Sequence, residues 1–317
     1  MLCRQVQEAT EGLLGELKID IDDDASGAST GCADASAAAY DGALPADLVA
    51  GTLVLRIGYR GAGFSGYAEQ PGQRTVAGEL RRALETMLRR EVDMICAGRT
   101  DAGVNALSQY VSVPVTAEEL ERPGRRTAAS LVALTPDDLS IRGVYRGGAS
   151  FSARFDAVER AYRYRIACGP ARPVMAWGHS WWLRTAASLD VGAMAEASRC
   201  LLGEHDFRSF CKASSAQLLE SDGRSTCRCL TAVEVSRVCE AGEDLVAVDV
   251  RGNAFLHNMV RIIVGSLVEV GRGHRDAAWL GRALEARSRQ AAGPTAPAEG
   301  LTFEDVAYPA GALEPWV

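Results

Sequence analysis

From Thr52 onward the spacing of apolar residues switches repeatedly between two and about 3.6, and this alternation constrains the fold more than any other feature of the chain. Leu53, Leu55, Ile57 and Tyr59 alternate with Val54, Arg56 and Gly58, which is the period of a strand. Thr75 is placed to cap a helix reaching about Arg90, with Val76, Leu80, Ala83, Leu84, Met87 and Leu88 at helical spacing. A short strand over 92–97, a glycine-bounded loop and an alternating strand ending at Val115 follow. A helix near 117–133 and a strand near 139–144 complete a β-α-β-β-α-β order. That order predicts an α+β, ferredoxin-like half with helices on one side of a largely antiparallel sheet.

The second half repeats the theme with longer insertions. Strands are predicted over 161–167 and 245–251, helices over 193–202 and 254–270, and a closing strand over 301–308. The boundary falls near 147–150. The chain therefore divides into residues 1–50, 51–148 and 149–317, with a central cleft between the two globular halves as the natural place for a ligand. At 317 residues there is enough chain for two cores.

The leader differs from the rest in charge and texture. Residues 1–50 carry ten acids against Arg4 and Lys18, a net of −8, so the whole-chain charge of −7 leaves the body at +1. Residues 25–43 are mostly Ala, Gly, Ser and Asp and predict a flexible segment, preceded by a possible short amphipathic helix over 5–19. The start has no basic region followed by an apolar block, so no secretory signal is expected. No stretch approaches the ~18 apolar residues of a membrane span, because even 259–270 contains Arg261. All basic residues except Lys18 and Lys212 are arginines, whose planar fork suits phosphate and base edges. The nine cysteines are scattered without a Cys-x-x-Cys pair, and the four histidines do not gather near Cys227 and Cys229. That pattern predicts reduced thiols in a cytoplasmic protein and no metal site.

The stretch richest in chemistry is Gly98-Arg99-Thr100-Asp101-Ala102-Gly103, lying between two predicted strands. Flanking glycines allow a tight backbone that presents one side chain. Taken alone, it reads first as a polar hairpin whose Asp101 caps its own turn. Further motifs follow: Phe151-Ser152-Ala153-Arg154-Phe155, Arg160-Ala161-Tyr162-Arg163-Tyr164, Leu202-Gly203-Glu204-His205-Asp206-Phe207, Asn253-Ala254-Phe255-Leu256-His257-Asn258-Met259-Val260-Arg261 and Ala298-Glu299-Gly300-Leu301.

Together and in this order, these motifs resemble the TruA family of tRNA pseudouridine synthases over about 52–309. The resemblance implies the pseudouridine synthase fold and an isomerase acting on tRNA. The reaction breaks the N1–C1′ bond of uridine, turns the uracil and joins C5 to C1′, so no redox cofactor is required. A hydrolytic glycosidase needs two carboxyls, whereas an isomerase that retains its leaving group can work with one. The resemblance gives that role to Asp101, and Arg261 as the cation that keeps it ionised. It implies that Arg99 helps push the target base from the stack, and that Tyr162 stacks on the base and takes the C5 proton late in the reaction. Leu301 would line the base pocket. Arg154 and Arg160, with Arg163, Arg165, Arg224 and Arg228, are candidate phosphate contacts. Period two puts Arg160, Tyr162 and Tyr164 on one face of their strand. The implied target is the anticodon stem-loop, roughly nucleotides 38 to 40, and the implied assembly is a homodimer. Two departures from the family pattern, Tyr67-Ala68 and Asn105, are expected beside the RNA path. An RNA-binding module that lost activity and a hydrolase using Asp101 as nucleophile are the competing readings, and the product formed separates all three.

Overall fold

In the computed structural model, residues 44–185 and 188–316 are described. The flexible leader and the helix expected over 5–19 lie outside the described residues, apart from 44–50. The first strand, β1 (Gly51–Tyr59), is buried along almost its whole length. Helix α1 (Val76–Leu88) starts where Thr75 accepts a hydrogen bond from the Gly78 N–H, and it ends at Arg89 in the left-handed region. β2 (Ile95–Cys96) is only two residues long, and β3 (Asn105–Val115) runs eleven.

The single helix expected over 117–133 is two. α2 (Ala117–Glu121) opens with a reciprocal cap between Thr116 and Glu119, and α3 (Gly124–Leu134) follows after a break. The cause is Pro123, which lacks an N–H and forces Arg122 out of helical geometry, to φ −61° and ψ 137°. β4 (Leu139–Gly147) closes the first half.

The second half contains β5 (Glu159–Cys168), β6 (Trp181–Leu183), α4 (Val191–Ser198), β7 (Gly203–Asp206), α5 (Ala213–Ser221), β8 (Cys227–Glu240) and β9 (Glu243–Gly252). It ends with α6 (Met259–Gly271), α7 (Ala278–Glu285), β10 (Leu301–Ala307) and β11 (Leu313–Pro315). None of the described helices is long and apolar enough to cross a membrane. The fourteen-residue β8 escapes the apolar pattern because many of its side chains face solvent. It turns into β9 through Ala241 and Gly242, both at positive φ, the backbone that a tight hairpin requires. The helix expected from 254 begins only at Met259, because Asn258 takes φ 63° and the preceding residues form a turn.

Hydrogen bonding orders the main path of the sheet β11-β4-β1-β3-β10-β5-β9-β8-β7. With β2 on the edge of β3, the first half reads β4-β1-β3-β2. The second reads β10-β5-β9-β8, the same permutation for four of its strands taken in chain order, so the fold is α+β with a repeated ferredoxin-like plan. The halves join where β3 and β10 run parallel, Asn105 beside Thr302 and Ala106 beside Phe303. β2 occupies the opposite end of that edge, with Ile95 beside Ser112 and Cys96 beside Val111. Residues 97–104 therefore leave the sheet where one neighbour of β3 gives way to the other, which puts this loop against the second half.

Candidate active site

Half of the residues of the 97–104 loop are hydrogen-bonded to the structure around it. The Ala97 N–H donates to the Tyr110 carbonyl at 2.9 Å, and the Gln109 amide donates to the Gly98 carbonyl. Thr100 shares a buried 2.7 Å hydrogen bond with the Tyr59 hydroxyl, and its carbonyl accepts from the Tyr67 N–H at 3.0 Å. Gly66 has φ +99°, and a Cβ there would lie 3.2 Å from the Thr100 carbonyl oxygen. A side chain at Gly66 would thus be strained and would push on the loop. The result is a preorganised loop rather than a mobile one.

Asp101 projects from it toward α6. Its Oδ2 accepts from Arg261 Nη1 at 3.1 Å, and its Oδ1 lies 3.2 Å from His257 Nε2. Arg261 is itself fixed, with Nε donating to the Ala296 carbonyl at 2.8 Å and Nη1 to Asn258 Oδ1 at 3.0 Å. Burial works against the Asp101 carboxylate, but hydrogen bonding and electrostatics from His257 and Arg261 outweigh it and hold the group below the ordinary carboxylate range. The Asp101 side chain remains 33% exposed, open enough to meet a ligand.

Tyr162, on β5, packs edge-on to Phe255 at 4.9 Å and tilted to Phe303 at 4.7 Å. Burial, reinforced by the charge of Asp101 among others, pushes its hydroxyl well above the ordinary phenol range, so it stays protonated. Its hydroxyl oxygen would lie 3.7 Å from a Cβ at Gly98, which puts it beside the Asp101 loop. Leu301, the first residue of β10, is buried in the core and paired with Tyr164.

The arginines expected on RNA separate into two groups. Arg160 is only 8% exposed, and its guanidinium donates to the carbonyls of Ala97, Ala157, Asn253 and Arg154. The expectation of a phosphate contact there needs correcting: its donors are spent tying the 97–104 loop to two neighbouring loops. Arg163 pairs with Asp249 at 2.7 Å, and Arg165 with Glu240 at 2.6 Å and Glu304 at 3.1 Å. Arg99 and Arg154 are exposed and form no ion pair with another described residue.

Asn105, expected beside the RNA path, is instead buried. Its Oδ1 accepts from the Gly61 N–H, and its Nδ2 donates to the carbonyls of Gly178 and Glu299. Tyr67 is likewise buried, at 5% exposure. Tyr67 and Asn105 are thus buried rather than on the surface, while Ala68 is half-buried.

Sequence reasoning missed His257 as a partner of Asp101. The signal available was its position four residues before Arg261. The reading of both on one helix is wrong, however, since His257 precedes α6 and reaches the carboxylate through the turn at Asn258.

Residues 197–309 match the protein-family model described as tRNA pseudouridine synthase. The chain is 41% identical to the tRNA pseudouridine synthase A of Chloroflexus aurantiacus over 267 residues, 84% of this chain and 91% of that one. It is 42% identical to the protein of the same name from Brevibacillus brevis, covering 80% of this chain and 97% of that one. With the Ralstonia nicotianae protein of that name the identity is 40%, over 81% and 90%.

Proposed function

The chain belongs to the tRNA pseudouridine synthase A family, and we propose on that premise that it isomerises uridine to pseudouridine in the anticodon stem-loop of tRNA, at nucleotides 38 to 40, with Asp101 as the essential group. Membership makes it an isomerase of tRNA uridines. One observation carries the assignment of the site: a single part-exposed carboxylate, on a rigid loop of the first half, is held ionised by Arg261 and His257 of the second.

The chemistry follows from that geometry. The uridine leaves its stack, at a cost of a few kcal/mol recovered by contacts in the site. Arg99 is exposed on the same loop, which supports its role in filling the vacated stack or holding a phosphate. The ionised Asp101 acts on the ribose or the uracil as the N1–C1′ bond breaks, and Arg261 offsets its charge. Tyr162, held by Phe255 and Phe303, is the ring on which the uracil stacks, a contact worth ~1–3 kcal/mol. As a protonated phenol, Tyr162 can accept the C5 proton only by passing its own proton on. Arg154 meets the RNA backbone. The division at 51–148 and 149–317 assigns the loop to one half and its cation to the other. A homodimer acting in the cytoplasm completes the reading.

Mapping pseudouridine in bulk tRNA treated with the purified protein tests this. The expected product is pseudouridine in the anticodon stem-loop, lost in Asp101→Asn while RNA affinity stays within about three-fold, the pattern of a group acting only in the chemical step. Free uracil would indicate hydrolysis, unchanged uridine a binding module, and normal turnover by Asp101→Asn would remove Asp101 from the mechanism.

A further inference from the structure

We propose that His257, oriented by Ser215, is a positioning residue that fixes the rotation of the Asp101 carboxylate. The inference rests on the reading of Asp101 as the reacting group. A carboxylate terminates in a torsion with broad, roughly two-fold freedom, so a donor on one oxygen leaves the plane of the group free to swing. Arg261 approaches Oδ2 at 3.1 Å, and His257 Nε2 approaches the other oxygen at 3.2 Å. With Arg261 donating to one oxygen and the His257 ring nitrogen within ion-pair distance of the other, the group is held at both oxygens. Each oxygen keeps a second lone pair for the substrate.

The imidazole is held well enough to do this. Its backbone carbonyl accepts from the Lys212 N–H at 3.0 Å, and Asn258 in the left-handed region turns the chain directly after it. Its Nδ1 lies 2.8 Å from the Ser215 hydroxyl oxygen, on α5. That hydroxyl selects the useful face of the ring. When His257 is neutral, Ser215 donates to Nδ1 and the ring proton sits on Nε2, facing Asp101. When His257 is charged, Nδ1–H donates to the Ser215 oxygen and Nε2–H still faces Asp101. A hydroxyl can both donate and accept, so the donor toward Asp101 survives either protonation state. A carbonyl or carboxylate at the Ser215 position would hold one arrangement, but it could not donate to Nδ1.

Single-turnover kinetics on full-length protein with a tRNA substrate test the proposal, using His257→Phe, His257→Gln and Ser215→Ala beside Asp101→Asn. His257→Phe keeps a ring and removes the donor, and it should lower the maximal rate about 10- to 100-fold while KM and tRNA affinity move less than about three-fold, since the lost contact acts on the reacting group and not on RNA. His257→Gln, whose amide can donate to the same oxygen, should recover most of the rate. Ser215→Ala should show a smaller loss of the same kind. Thermal unfolding checks that each variant is folded, and imidazole added to His257→Ala gives a further test in which rate recovery is expected. A full rate in His257→Phe overturns the proposal, and so does a rise in KM at unchanged maximal rate, which would make His257 an RNA contact. A Gln variant as slow as the Phe variant in a folded protein also overturns it. Activity in Asp101→Asn would instead overturn the reading beneath it, so the two failures are distinguishable.

Discussion

Replacing Arg261 with methionine keeps the aliphatic stem and removes the cation facing Asp101, and the size of the effect follows from the geometry. Opposite unit charges about 4 Å apart attract by about 4 kcal/mol at an effective dielectric near 20. The Asp101 side chain is a third open to solvent, and screening there roughly halves this to about 2 kcal/mol. The direction is fixed by the native state: Asp101 is held below the ordinary carboxylate range, so its ionised form is lost only as pH falls through that lowered value. Without Arg261 the acid limb of the pH–rate profile should move upward, with His257 left as the group that still holds the carboxyl down.

At neutral pH Asp101 would still be ionised in the variant, so any loss of rate there measures orientation rather than charge state. Release of tritium from C5 of labelled tRNA uridine, in single turnover across the acid limb, separates the two effects. Arg261→Lys restores a cation but not the Ala296 contact, and it should return the limb toward its native position. An acid limb that stays in place in Arg261→Met would refute the electrostatic argument.

Tyr162→Phe keeps the stacking ring and removes only the hydroxyl, so tRNA affinity should hold while any proton-transfer step slows. A full rate of C5 tritium release would leave Tyr162 with stacking alone. Arg160→Met should act on stability first, because it leaves four carbonyls of three loops without their buried donor. A loss of roughly 3 kcal/mol is expected, seen calorimetrically as a fall in Tm of roughly 6–12 °C. A Tm unchanged beside a large loss of RNA affinity would return Arg160 to the phosphate contacts.

Much of the first half was legible because its elements obey local rules. β1 and α1 show their periods directly, and Thr75 is the cap the sequence predicts. The break at Pro123 was also legible, since proline acts on its own neighbours, and the single helix over 117–133 overlooked it. β8 was not, because a strand with many solvent-facing side chains carries no apolar pattern. Asn258 concealed the true start of α6, because its left-handed backbone is a property of the turn and not of residue spacing.

By itself the sequence determined the α+β order and the Asp101 loop, since these are local patterns, while Arg261 as the partner of Asp101 was implied only by the family resemblance. Tertiary structure alone decided which arginines face solvent, that Asn105 is buried, and that His257 shares the carboxylate. These depend on the parallel contact between β3 and β10, which brings together Asp101 and Arg261 from positions 160 residues apart. A periodic pattern shows which face of an element is apolar. It carries no record of which distant edge that element will meet, because that choice is made by the packing of the whole sheet.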